Sequence, residues 1–116
     1  MARTTQEVFD NHKGAMQSGD MARLMADYAD DAVMLLLDQF AVGREAIQAG
    51  FANYFESFPG LKISFDKTAV QDDLFLLQWS GDSDVATFPY GVATFVIKDD
   101  KIQRQTEWFV VVPKET

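Results

Sequence analysis

Cysteine is absent from the 116 residues, histidine occurs once, at position 12, and proline only three times. The first absence removes disulfides, thiolate nucleophiles and cysteine metal sites together, and it suits a reducing compartment. A lone histidine excludes a multi-histidine zinc site built by one chain. Positive charge is sparse as well: ten Lys and Arg against eighteen Asp and Glu leave a formal net charge of -8, with no basic cluster. A phosphate backbone or an anionic membrane surface would be repelled, so neither nucleic acid nor membrane is expected as a partner. Long hydrophobic runs are missing too, and none nears the roughly 20 residues of a membrane span. The opening "MARTTQEVFD" lacks the basic-then-apolar order of a secretory signal. Together these absences predict a soluble, cytoplasmic protein.

What is abundant is aromatic and apolar surface. Phe 10, Trp 2 and Tyr 3 amount to 13% of the chain, which fits either a tightly filled core or a cavity walled with rings for an apolar ligand. A chain of this length buries about two-thirds of its unfolded surface and needs no covalent staples. No linker, repeat or low-complexity stretch divides it, so residues 1–116 are read as a single domain.

The first part of the chain is patterned for helices. Thr4 and Glu7 have capping-box spacing, and Val8, Phe9, His12, Ala15 and Met16 recur at helical offsets before "SGD". Asp20 can cap a shorter helix through "MARLMADYA". Residues 32–37 form an apolar run read as a strand, and "DQFAVG" after it reads as a turn. "GREAIQAGFANYFESFPG" predicts a third helix that begins after Gly43 and is stopped by Pro59 and Gly60. Four strand patterns follow: "LKISFDKTAVQ", "LFLLQWSG", "VATFPYGVATFVI" and "IQRQTEWFVVV", with "KDDK" as a hairpin signal between the last two. The expected architecture is α+β, with helices on one face of a mainly antiparallel sheet of four long strands and a short early one. Both sheet faces are apolar and helices can cover only one, so a homodimer through the outer face is expected.

The stretches "SGDMARLMADYADDAV", "VGREAIQAGFANYF" and, less strongly, "VATFVIKDDKIQRQTEWF" resemble the SnoaL-like and ketosteroid-isomerase-like branch of the nuclear transport factor 2-like superfamily. The resemblance implies a cone: three N-terminal helices on a strongly curved, mainly antiparallel sheet that encloses a pocket. Functions in that superfamily range over isomerases, cyclases, dehydratases, epoxide hydrolases, transport factors and assembly domains, so the fold alone decides little. Laid against ketosteroid isomerase, which serves as a reference case for tuned carboxylates, the tyrosine position falls on His12, the base position on Leu36, and the oxyanion aspartic acid near Ala93. Asp38, two residues beyond Leu36 and about 6 to 7 Å further along a regular strand, is then either a displaced base or a turn residue. In SnoaL-like cyclases the last strand carries an acid, and Glu107 stands at the matching place. The Asp–Arg–Asp set of an epoxide hydrolase has no counterpart, Arg104 lying on the parity opposite to Glu107.

Each candidate has two readings. His12 shares an apolar helix face and is either a packed histidine or an acid/base or oxyanion-donating group, biased toward its protonated form if Glu107 is close. Glu107, beside Trp108 in an apolar strand, must have a raised pKa, find a donor or face solvent. Gln103, Gln105, Glu107 and Phe109 share one strand face, which the resemblance turns toward the pocket. Arg44 is expected in the first turn of the third helix, paired with a surface acid. The candidate catalytic residues are therefore His12, Asp38 and Glu107, and the candidate substrate-binding residues Leu36, Phe51, Phe55, Trp79, Phe95, Gln105 and Phe109. The expected function is a cofactor-free, metal-free acid/base enzyme, an isomerase, cyclase or related lyase, acting on an apolar cyclic or polyketide-like molecule. A non-catalytic dimeric module that binds a small ligand or serves assembly is the alternative.

Overall fold

The computed structural model describes residues 3–115. The chain runs through α1 (Thr5–Ser18), α2 (Met21–Met25), β1 (Tyr28–Leu36), β2 (Gln39–Val42), α3 (Arg44–Ser57), β3 (Lys62–Gln71), β4 (Leu74–Asp82), β5 (Ala86–Lys98) and β6 (Lys101–Pro113). The helix starts follow their local signals. Thr4 Oγ1 accepts from the Glu7 amide at 3.1 Å while Glu7 Oε1 accepts from the Thr4 amide at 2.9 Å, a reciprocal capping box. Asp20 caps α2 through the Arg23 amide at 3.1 Å. α1 ends on Gly19 at φ 69, a left-handed conformation that glycine adopts without a Cβ penalty.

The strands form one sheet in the order β2-β1-β6-β5-β4-β3. Neighbours are antiparallel except β1 and β6, which run parallel and are joined through β2, α3 and the three strands β3, β4 and β5. Register shifts interrupt β1 against β6, β3 against β4, β4 against β5 and β5 against β6. Such bulges bend and twist a sheet, and here they curl it around the helices without closing it into a barrel. The β5–β6 hairpin turns on Asp99 and Asp100, at φ 54 and 68. Positive φ at both central residues suits the right-handed strand twist, and aspartate tolerates it better than most side chains.

The observed architecture is the α+β cone that the resemblance implied, with two differences from the sequence reading. A sixth strand, β2, occupies part of the segment read as the turn "DQFAVG". β1 begins at Tyr28 rather than at residue 32, because the irregular stretch around Asp30 and Asp31 stays in the strand through a bulge between Tyr28 and Val33. α3 lies between strands, following the early strand as the sequence order of residues 32–37 and the third helix had it.

Helix and sheet meet in an aromatic core. Phe9 of α1 stacks on Phe75 with centroids 3.9 Å apart, and Phe95 meets both edge-on. Burying each such ring contributes roughly 1.5 to 3 kcal/mol. Asp27, between α2 and β1, is fully buried and is held by Arg3 Nη1 at 2.9 Å and Asn11 Nδ2 at 2.7 Å. This satisfied acid ties the N-terminal segment to the base of the cone. No described helix is long and apolar enough to cross a membrane.

Candidate functional site

The concave face of the sheet, α1 and α3 enclose a cavity of about 360 Å³. Its wall draws on every layer: His12 and Met16 from α1, Met34 and Leu36 from β1, Ile47, Phe51 and Tyr54 from α3, Trp79 from β4, Phe95 from β5, and Gln105, Glu107 and Phe109 from β6. The alternation of β6 explains its share, since residues two apart point to the same face. Phe95 and Gln105 are ladder partners, as are Ala93 and Glu107. Ala93, with almost no side chain, leaves room beside the carboxylate. Strand β2 and the start of α3 form the rim.

Among the described residues, Glu107 is the only acid in this wall. Its Oε2 accepts from Gln105 Nε2 at 2.7 Å, and Gln105 Oε1 in turn accepts from the Tyr28 hydroxyl. Desolvation pushes the Glu107 carboxyl up to about 7, against the opposing influence of Gln105 and the Trp79 indole. Among the described residues no Lys or Arg lines the cavity to compensate the charge. The same desolvation, with Glu107 nearby, raises the hydroxyls of Tyr28 and Tyr54, so both stay protonated at neutral pH.

His12 is 3% exposed and packs against the rings of Phe9, Tyr28 and Phe95, with centroids 6.0, 6.0 and 5.3 Å away. Burial lowers its pKa to about 4. This reverses the expectation that a nearby acid would bias it toward imidazolium: the apolar wall penalises the charged ring, and no carboxylate bonds to it. Its Nδ1 is buried without a hydrogen-bond partner.

Of the residues singled out from sequence, His12, Leu36, Phe51, Trp79, Phe95, Gln105, Glu107 and Phe109 all line the cavity. Two do not. Asp38 sits exposed in the two-residue turn between β1 and β2, where Leu37 adopts φ 56. Strand parity cannot be extended past Leu36, because the chain reverses there. Phe55 stacks behind Phe51, with centroids 6.1 Å apart, and packs on the core instead. Among the other aromatic residues, Phe88 is buried core while Tyr90 and Trp108 face outward. Gln103 shares the Glu107 parity but lies beyond the cavity, donating to the Lys98 carbonyl at 2.8 Å. Arg44 opens α3 and pairs with Asp30 at 2.8 Å, as expected. It also donates to the Tyr28 carbonyl from Nε and Nη2, at 3.1 and 2.8 Å, which satisfies an acceptor at the β1 bulge.

Tyr28 and Tyr54 were not picked out from sequence. Tyr54 falls at helical spacing with Phe51, Phe55 and Phe58, an aromatic series most of which reads as core. Tyr28 precedes the apolar run, and only the early start of β1 brings its hydroxyl to Gln105.

The SnoaL-like domain family matches residues 8–105. No curated protein matches the chain. Among solved structures, a candidate polyketide cyclase from Sinorhizobium meliloti superposes with a TM-score of 0.78 at 19% identity, covering 88% of this chain and 94% of its own. TerC, co-crystallised with polyporic acid, superposes with a TM-score of 0.79 at 14% identity, covering 91% of each chain. An epoxide hydrolase from M. tuberculosis gives 0.75 at 14%, covering 91% of this chain and 82% of its own. At these identities the structural likeness speaks for the fold alone, whereas the family match spans most of the chain. The chain belongs to the SnoaL-like family.

Proposed function

We propose that this protein is a cofactor-independent acid/base enzyme that acts on a neutral, apolar cyclic or polyketide-like carbonyl compound. One observation carries the reading: a single carboxylate, moved to a pKa of about 7, stands in an otherwise apolar, aromatic cavity. A group that titrates at the working pH serves well as a general base. In the proposed step the Glu107 carboxylate takes a proton from the carbon next to the carbonyl, and the electron pair moves onto oxygen to give an enolate. His12, neutral at this pH, offers an N–H to that oxygen. With Nδ1 sealed in the wall, Nε2 is the nitrogen that meets the ligand. Return of the proton from Glu107 to a different carbon completes an isomerisation; attack of the enolate carbon on a second carbonyl, whose electron pair moves onto its oxygen and takes the proton back from Glu107, completes a cyclisation. Asp38, outside the cavity, has no part in this scheme. The described residues of the wall include no cation, so anionic ligands are disfavoured.

The test begins with a thermal-shift screen of cyclic ketones, steroids and quinone-like polyketides. A ligand at about 100 times its Kd stabilises the folded state by roughly 2.7 kcal/mol. Glu107→Gln and His12→Ala should each lower turnover of the hit by about 10²-fold or more. Undiminished rates in both variants would remove the catalytic assignment. A ligand-binding module without turnover is the second reading, and the histidine favours it: a pKa near 4 leaves Glu107 as the one group of the wall that titrates around neutrality. Ligand stabilisation with no product would select it. We further propose that the protein is a homodimer through the outer sheet face, where Leu35, Leu76, Tyr90, Trp108 and Val110 are exposed.

A further inference from the structure

We propose that Tyr28 and Gln105 form a fixed relay that orients the Glu107 carboxylate, with Tyr28 acting as a positioning residue through Gln105. It builds on the assignment of Glu107 as the ionisable group of the proposed site and adds what governs that group. The argument is one of donors and acceptors. A glutamine amide has one oxygen that accepts and one nitrogen that donates, and turning it end for end exchanges the two. Gln105 is 3% exposed, between ladder partners Met34 and Phe95, so water does not satisfy whichever end is unpaired. The Tyr28 phenol, fully buried, is held in its protonated form and donates. Its hydroxyl engages Gln105 Oε1, which commits the other end of the amide to Glu107: Nε2 donates to Oε2 at 2.7 Å.

The polarity of the chain therefore runs one way, from phenol to amide to carboxylate. Each donor polarises the next, and the ionised acid gains. Arg44 fixes the start of the relay by clamping the Tyr28 carbonyl, so α3 sets the position of the ring. The groups facing Glu107 can be named from each element: His12 on α1, Tyr28 on β1, Tyr54 on α3 and the Trp79 indole on β4, while β5 contributes only Ala93 and Phe95. Arg104 and Thr106 on β6 point to the other face. Of these, only Tyr28 reaches the carboxylate through Gln105.

Without the phenol hydroxyl the amide is free to turn its oxygen toward Glu107, an arrangement that needs a protonated acid. Carboxyl ¹³C NMR on glutamate-labelled protein, with Glu107→Gln used for assignment, reads the titration directly. In Tyr28→Phe the Glu107 midpoint should rise by about one pH unit. Adding Tyr28→Phe to Gln105→Met should then move it no further. An unmoved midpoint in Tyr28→Phe, or an equal shift in the Gln105→Met background, would overturn the relay. Should either variant fail to fold, the side-chain amide protons of Gln105 in the unmodified protein give the answer: one must shift as Glu107 titrates, and if neither does the relay is wrong. Because the readout is the carboxyl itself, the relay can stand if no substrate is turned over, and it can fail while catalysis by Glu107 holds.

Discussion

Glu107 and His12 share one wall, and one physical cause moves them in opposite directions. Desolvation disfavours the charged form, which for a carboxyl means a raised pKa and for an imidazole a lowered one. Glu107 rises from 4.5 to about 7 and His12 falls from 6.5 to about 4. The consequences for stability follow by linkage. The folded state holds the Glu107 proton more tightly than the unfolded chain, so its contribution is full below pH 4.5 and is lost as pH rises through about 7. His12 behaves the other way: its contribution is full above pH 6.5 and is lost as pH falls toward 4. Glu107→Gln, which removes a buried charge, should therefore raise the thermal midpoint at pH 8 and have little effect at pH 4.5. Scanning calorimetry across that range checks both the sign and the window. Equal effects at both ends would mean that the acid is not desolvated. Turnover, if Glu107 is the base, should climb through the same midpoint.

At the scale of elements, the cavity depends on where strands break their regularity. Trp79 reaches across the sheet only because position 91 of β5, its ladder partner, is glycine: a Cβ there would lie 2.3 Å from the indole. The ring is 5% exposed and contacts Phe88 and Phe109, with centroids 5.8 and 5.5 Å away, so it has little room to retreat. Gly91→Ala should cost about 1 to 3 kcal/mol through overpacking, read as a lower urea midpoint with a changed Trp emission spectrum. A neutral result would show that the indole can swing into the cavity. Helix caps and the Asp99–Asp100 hairpin were legible in the sequence, since each is written in consecutive residues. The two-residue turn at Leu37 and Asp38 was not: an apolar leucine at φ 56 carries no turn signal, and β2 was hidden with it. The same turn decides the fate of Asp38, which ends in solvent rather than in the cavity.

For the whole molecule, the face of the sheet turned away from the helices is the unfinished part. Trp108 is 59% exposed and Phe40 74%, and ladder pairing joins Trp108 to Val92 and Val110 to Tyr90 in one apolar strip. The proposed homodimer would cover it. Sedimentation velocity should give a dimer for the unmodified protein and a monomer for Trp108→Glu, because a charge buried without a partner at such an interface is strongly unfavourable. A monomer in the unmodified protein at tens of micromolar would dispose of the proposal.

The caps, the elements other than β2 and the shared parity of Gln105, Glu107 and Phe109 came from the sequence alone, because helical and strand periods are local properties that neighbouring residues express; that this face looks inward was implied only by the family resemblance. Only the tertiary structure decided that Tyr28 meets Gln105, 77 positions away, that Asp27 is a buried acid while Asp30 and Asp31 remain exposed, and that His12 is neutral. Burial is the reason: an aspartate or a histidine is spelled the same whether water or a phenylalanine ring lies against it, and its charge is set by which of the two the fold puts there.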